Sequence, residues 1–248
     1  MEPWQERCPV RHLKLPIKFR TMRTPDPNRP PQLRAESSYF WLKERIDFYA
    51  ALVALVLTAP LLAVLALMIR SDSRGPAVFR QARAGRNGRP FTFFKFRTMR
   101  AEADPFGDSP DSGDDPRLTR VGRRLREASL DELPQLWNVL RGEMSLVGPR
   151  PLYMQQMAEW SPRHRGRLLV KPGLTGLAQI NGRGAITLEE KLEWDVRYVE
   201  TASLRNDLGI LWHTLLSVVK RSGIYEVQYS QTRKRRSNPA RPLQPPAS

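Results

Sequence analysis

The sequence predicts an α+β fold, mostly helical, that sits in one leaflet of a membrane. Three observations carry that prediction. A run without charge extends from Phe48 to Ile69. An Asn87-Gly88 pair separates two apolar-aromatic runs. Helical periodicity recurs after residue 115 and dominates the C-terminal third. The expected parts are a basic, Pro-rich tail at 1–39, a re-entrant membrane helix at 40–74, a cytoplasmic body at 75–226 and a basic disordered tail at 227–248.

The 248 residues suffice for one domain with a sizeable core, flanked by tails. Residues 24–38 and 231–248 are rich in Pro, Arg and polar residues. Such segments bury too little apolar surface to offset the entropy of ordering them. The basic cluster Arg233 to Arg236 reads as a solvated tail ahead of a nucleic-acid patch. The net charge of +16 suits an anionic partner: nucleic acid, an anionic lipid surface or a polyphosphate. Cys8 is the only cysteine, so no internal disulfide forms. No signal peptide is visible, because the apolar run starts near residue 46.

The run from Phe48 to Ile69 is long enough to cross a bilayer, which takes about 20 apolar residues. Two features argue against a plain crossing. Pro60 lies near its middle, where it removes a backbone donor and bends the helix. Its flanks are basic on both sides, with Lys43 and Arg45 before it and Arg70 and Arg74 after it. A spanning helix is more cationic at its cytoplasmic end. A re-entrant course is therefore favoured over a crossing, with Thr58 expected to re-satisfy the backbone at the bend. The core helix of a soluble protein ranks below both.

Asn87-Gly88 predicts a β-hairpin between Val78 and Phe96. Strand alternation puts Phe94 and Phe96 on one side and Lys95 and Arg97 on the other. The string Lys-Phe-Arg-Thr-Met-Arg at 95–100 recurs at 18–23, without a physical account. Residues 101–114 are acidic and loop-like. Asp115-Pro116 reads as N-cap and first position of an arginine-rich helix with Leu118, Val121 and Leu125 as its apolar stripe.

Asp131 and Glu132 follow, at the start of another apolar helical pattern. Two helix starts compete. Ser129 and Glu132 have the spacing of a capping box, but this puts Pro134 inside the helix. Leu133 as N-cap would let Pro134 occupy the first position and would leave both carboxylates just ahead of the helix. The proline favours the second start. Free backbone donors there can hold a phosphate beside the acids. An aspartate can attack phosphorus, and magnesium with fixed arginines can neutralise the phosphate oxygens. The pattern ends at Gly142 and a rigid Gly148-Pro149-Arg150-Pro151 turn.

Residues 152–169 carry an apolar-aromatic face followed by Arg163, His164, Arg165 and Arg167. This suits a helix in the membrane interface or an ordinary core helix. His164 has no partner at metal-ligand spacing and takes no role. Gly173, Gly176, Gly182 and Gly184 mark turns where backbone could approach a ligand. Thr187 and Glu190 predict a capping box opening a helix over 187–201. Residues 205–221 form the strongest amphipathic stretch, and Trp212 with the terminal Lys220-Arg221 favours interface contact.

Five motifs in order resemble the bacterial sugar transferases, the monotopic phosphoglycosyl transferases acting on polyprenyl phosphate. They are Lys95 to Met99, Ser129 to Leu136, Met144 to Pro151, Lys171 to Gly176 and Asn181 to Arg183. The likeness runs from about residue 40 to 225. It implies a re-entrant helix, although Ala59-Pro60 stands where relatives usually have Ser-Pro. It implies that Asp131 is the nucleophile and the magnesium neighbour, with Glu132 as its acid/base or orienting partner. Lys95, Arg126, Arg150 and Arg183 are the implied substrate-binding cations. The implied partners are undecaprenyl (polyprenyl) phosphate, a nucleotide sugar and inner-membrane lipids, at the cytoplasmic face. Nucleic acid is not expected, and a homodimer is left open. Residues 1–43 hold no further membrane helix, which fits the small form of the family. The implied reaction passes a sugar phosphate from a UDP-sugar to the lipid phosphate through an aspartyl intermediate and releases UMP. A non-catalytic basic protein of the membrane surface, binding nucleic acid or serving as a scaffold, is the alternative. The sugar is not legible.

Overall fold

The fold opens on one long helix, α1 (Ser37–Asp72), in the computed structural model. The structure describes residues 30–219, except Arg34, Asp108, Asp111, Arg183 and Ala185. The duplicated string at 18–23, Cys8, residues 1–29 of the expected N-terminal tail, the C-terminal tail and Lys220-Arg221 lie outside the described residues, while residues 37–39 of the expected tail already belong to α1. At 36 residues α1 is about 54 Å long, from a rise of about 1.5 Å per residue. Among the described residues it is the one helix long and apolar enough to cross a membrane.

Pro60 lies inside α1, and the helix continues through it. The proline lacks the N–H that would reach the Val56 carbonyl. Thr58 does not repair that loss, because its hydroxyl donates to the Ala54 carbonyl at 2.7 Å. A proline and a back-bonded threonine in one turn both bend a helix without breaking it.

One face of α1 packs on the body at both ends. Near its start, buried Lys43 donates to Asp207 at 2.6 Å, and buried Asp47 accepts from Ser145 at 2.6 Å. Lys43 is thus an internal ion-pair partner and not a flanking surface charge. In the middle, Ala51 packs with Phe91, Phe93, Leu136, Val139 and Met144. Toward its end, Leu65 and Ile69 pack with Ala77, Phe96 and Leu125. The opposite face exposes Trp41, Tyr49, Val53, Val56, Leu57 and Leu67.

The hairpin forms where Asn87-Gly88 predicts it. Strands β1 (Val78–Ala84) and β2 (Pro90–Phe96) are antiparallel, with Phe79 opposite Lys95. The turn puts Asn87 at φ 57° and Gly88 at φ 74°, both left-handed. Phe91, Phe93 and Lys95 alternate along one face of β2, while Phe96 enters a different cluster on the other. Arg97 lines the same cleft as Lys95, but its charged end is committed to the backbone. Its guanidinium donates to the carbonyls of Ser73, Arg74 and Gly75 and clasps the end of α1.

Helix α2 (Arg120–Glu127) starts later than Asp115-Pro116 implied. Asp115 instead pairs with Arg117 at 2.6 Å and accepts from its backbone N–H, which makes a local turn. Thr119 is the N-cap, accepting from Gly122 at 2.9 Å. Gly122 itself has no room for a side chain, since a Cβ would run into the Thr98 backbone.

After α3 (Gln135–Leu140), strands β3 (Ser145–Val147) and β4 (Gly173–Thr175) pair in parallel. Between them, residues 152–169 form neither an interfacial helix nor one core helix. They fold into a 3-10 turn (Met154–Glu159), the short helix α4 (Pro162–Arg165) and a second 3-10 turn (Gly166–Leu169). Two of the three arginines point inward, and Arg165 stays exposed. Buried Arg163 pairs with Glu193 and Glu200, and buried Arg167 pairs with Asp195 at 2.6 Å. These acids lie on α6 (Leu188–Thr201), which follows α5 (Leu177–Ile180). Helix α6 opens with the expected capping box of Thr187 and Glu190. Helix α7 (Leu204–Val219) buries Asp207, Ile210 and His213 and exposes Leu208, Trp212 and Leu215. The third cluster joins β3, α5, α6 and α7 through Val147, Leu177, Tyr198, Val199 and Ile210, with Tyr39 and Phe40 of α1 against it.

Candidate active site

Asp131 and Glu132 lie in a 3-10 turn, Leu130–Glu132, wedged between α2 and α3. Ser129 accepts no capping bond from this turn; it adopts φ 55° and ends α2. A left-handed residue is a common helix terminator, although glycine is its usual identity. Leu133 is already helical, and Pro134 is the N-cap of α3. The proline therefore falls in the first turn, where its missing donor costs little. The capping box does not form.

Two neighbours fix this turn against the lysine strand. Asn138, on α3 and fully buried, donates to the Thr92 carbonyl at 2.6 Å and accepts from the Phe94 N–H at 3.2 Å. It extends the hydrogen-bonding edge of β2 and so sets Lys95 relative to the acids. Arg150 donates to Glu132 at 2.9 Å. Its backbone is held in turn. Gly148 donates to Thr175, Gly173 donates to Pro149 (both 2.8 Å), and buried Arg167 donates to the Arg150 carbonyl. Gly173 serves this packing and not a ligand, because a Cβ on it would strike the Gly148 backbone.

Lys95, Arg126, Asp131, Glu132 and Arg150 all line one cleft of about 940 Å³. Asp131 is buried, and its carboxyl is pushed up to about 6. Burial is the main cause and the charge of Glu132 adds to it, while Lys95, Arg126 and Arg150 pull the other way. Lys95 is pushed down to about 8, first by burial and then by the positive field of Arg126, against the pull of Asp131. Burial of an acid and a base side by side brings both close to neutral pH, which is frequent at reacting centres. Arg183 lies outside the described residues.

The cleft has further walls that the motifs did not single out. Gln81 and Arg83 of β1 point into it, on the same face as Phe79. Their alternate spacing is a strand signal that could have found them. Arg83 lies over the Tyr153 ring at 3.7 Å. Gln179, Lys191 and Asp195 form another wall, from α5 and α6. Ala66 and Arg70 bring α1 itself to the cleft. No third metal-ligating side chain joins the two acids among the described residues.

A cleft with a buried carboxylate among cations, partly walled by a long apolar helix, defines an enzyme that handles anionic substrates beside a membrane. The chain belongs to the bacterial sugar transferase family, whose model matches residues 38–221, and it is a phosphoglycosyl transferase. It is 44% identical over 188 residues to the uncharacterized sugar transferase EpsL of Bacillus subtilis, covering 76% of this chain and 92% of that one. It is 45% identical over 196 residues to the UDP-glucose:undecaprenyl-phosphate glucose-1-phosphate transferase of Caulobacter vibrioides, covering 74% and 72%. It is 37% identical over 206 residues to the undecaprenyl-phosphate galactose phosphotransferase of Salmonella typhimurium, covering 77% of this chain but 43% of that longer protein.

Proposed function

We propose that this enzyme transfers a sugar 1-phosphate from a UDP-sugar to undecaprenyl phosphate through a covalent intermediate on Asp131. The observation that carries the reading is the position of the buried Asp131 carboxylate, among Lys95, Arg126 and Arg150, in a cleft that α1 helps to wall. A soluble polyphosphate can enter such a cleft, and a lipid phosphate can reach it along the helix. The names of the Caulobacter and Salmonella relatives agree with both substrates.

In the first step a carboxylate oxygen of Asp131 bonds to the β-phosphorus of the donor. The bond from that phosphorus to the bridging oxygen breaks, and UMP leaves with the electron pair. In the second step an oxygen of undecaprenyl phosphate bonds to the same phosphorus. The aspartyl oxygen leaves, which restores Asp131 and yields the undecaprenyl-diphospho-sugar. Lys95, Arg126 and Arg150 neutralise the phosphate oxygens throughout. Glu132 holds Arg150 and raises the basicity of Asp131.

The donor set fits Mg2+. Two adjacent carboxylates supply the one or two protein ligands that this ion usually takes, and substrate phosphates and water supply the rest. Asp131 would hold it, with Glu132 beside it, and the ion would supply further neutralisation of phosphate charge.

The setting proposed is the cytoplasmic face of the inner membrane, with the product starting a cell-surface glycan. α1 contacts the same body near Lys43 and again near Ile69. That supports a helix whose two ends share one membrane face.

The test uses a donor labelled in its sugar, without acceptor. Label should remain covalently on the protein, and Asp131→Asn should abolish it. Labelling and turnover retained in Asp131→Asn would overturn the nucleophile assignment.

A further inference from the structure

The α5–α6 wall of the cleft holds polar atoms that no protein group satisfies among the described residues. Both carboxamide atoms of Gln179, Nε2 and Oε1, are buried and make no hydrogen bond among the described residues. Gln179 lines the cleft, so this donor and this acceptor lie buried in its wall, at the edge of the space a substrate would fill. Asp195, on the same wall, is bound at Oδ2 by Arg167. Its other oxygen, Oδ1, completes no hydrogen bond among the described residues. Burial pushes this carboxyl up to about 6, against the pull of Arg167 and of the Arg150 backbone N–H. Leaving a buried polar atom without a partner is costly, so such a cluster calls for a ligand that completes it.

The atoms themselves indicate the chemistry. The cluster offers one donor, Gln179 Nε2, and two acceptors, Gln179 Oε1 and Asp195 Oδ1. A phosphate has no donor for the acceptors, and its proposed place is among Lys95, Arg126 and Arg150. The pairing edge of uracil carries one N–H between two carbonyls and can serve only one acceptor. Neighbouring sugar hydroxyls each donate and accept, so two of them can serve all three atoms.

We propose that Gln179 is a specificity-determining residue that reads hydroxyl groups of the sugar being transferred, with Asp195 accepting from a neighbouring hydroxyl. The assignment rests on the proposed function and deepens it. A site built to hydrogen-bond a substrate hydroxyl discriminates strongly, because a mismatched epimer leaves its buried groups unpaired.

The test compares wild type, Gln179→Leu and Gln179→Asn as full-length chains in membranes, with undecaprenyl phosphate as acceptor. kcat/KM is read from UMP release for UDP-glucose, UDP-galactose and their two N-acetylhexosamine counterparts. A second arm holds the sugar fixed and compares UDP-glucose with CDP-glucose and dTDP-glucose. Gln179→Leu should lower kcat/KM for the preferred sugar by about tenfold or more and compress its preference over the C4 epimer. The preference for the base should not move. An unchanged epimer ratio, or a changed base ratio with constant epimer ratio, overturns the proposal. Gln179→Asn keeps the carboxamide but shortens its reach, so a shifted epimer ratio in this variant supports direct contact even if the leucine variant folds poorly. Asp131-dependent labelling of the wild type is measured in parallel. If it is absent, the transfer mechanism itself fails; if it is present with unmoved epimer ratios, only the role of Gln179 fails.

Discussion

At Asp131 a single carboxylate carries two opposing demands. Burial and Glu132 make it more basic, while three nearby cations keep it ionisable near neutrality. As the proposed nucleophile it would work as the anion, so activity should fall as pH drops through about 6. In its proposed role Lys95 would work as a cation, so activity should fall again as pH rises through about 8. Both limbs belong to the free enzyme and appear in kcat/KM. Glu132→Gln removes a neighbouring negative charge and should move the acidic limb to lower pH. Lys95→Arg cannot lose its proton in this range and should remove the alkaline limb. A profile whose two limbs stay fixed in both variants would refute these assignments. At this scale the acids, Lys95 and Arg150 were legible because each stands in a contiguous motif, and Arg126 only through the resemblance those motifs carry. Asn138 and Asp195 were not. Their partners, Thr92 and Arg167, are 46 and 28 residues away, and no local pattern announces such pairs.

Elements that carry their own signals were read well, and those defined by distant partners were not. The hairpin and the capping box of α6 depend on residues within a few positions of each other. The start of α2 was placed too early because Asp115 turned its carboxylate to Arg117. Residues 152–169 looked like a surface helix because the acids of α6 that draw Arg163 and Arg167 inward lie beyond the segment. Strands β3 and β4 are only three residues each, too short for a periodic pattern. One inter-element contact lends itself to measurement. Asp72, the last residue of α1, accepts from the Val121 N–H at 2.9 Å and so caps the first turn of α2 from outside. Asp72→Ala should cost about 1 kcal/mol, the usual value of a lost cap. A lowered midpoint in thermal unfolding of the detergent-solubilised protein would show it, and an unchanged midpoint would refute the coupling of the two helices.

Across the whole molecule, the question the sequence raised was the course of its apolar helix. Charge and Pro60 suggested re-entry, and α1 packs on one body at both ends while remaining helical throughout. Single cysteines placed before residue 43 and after residue 74 should therefore react with an impermeant thiol reagent from the same side of sealed vesicles. Reaction from opposite sides would require a crossing and would sink the re-entrant reading. The exposed row of Leu208, Trp212 and Leu215 on α7 adds a second apolar surface. The participation of α1 in all three core clusters has a consequence for the site itself. Without the helix the body would have three open seams, and neither Lys95 nor Asp131 would be backed by a finished core. A helix-deleted soluble version should not be expected to keep the shape of the site.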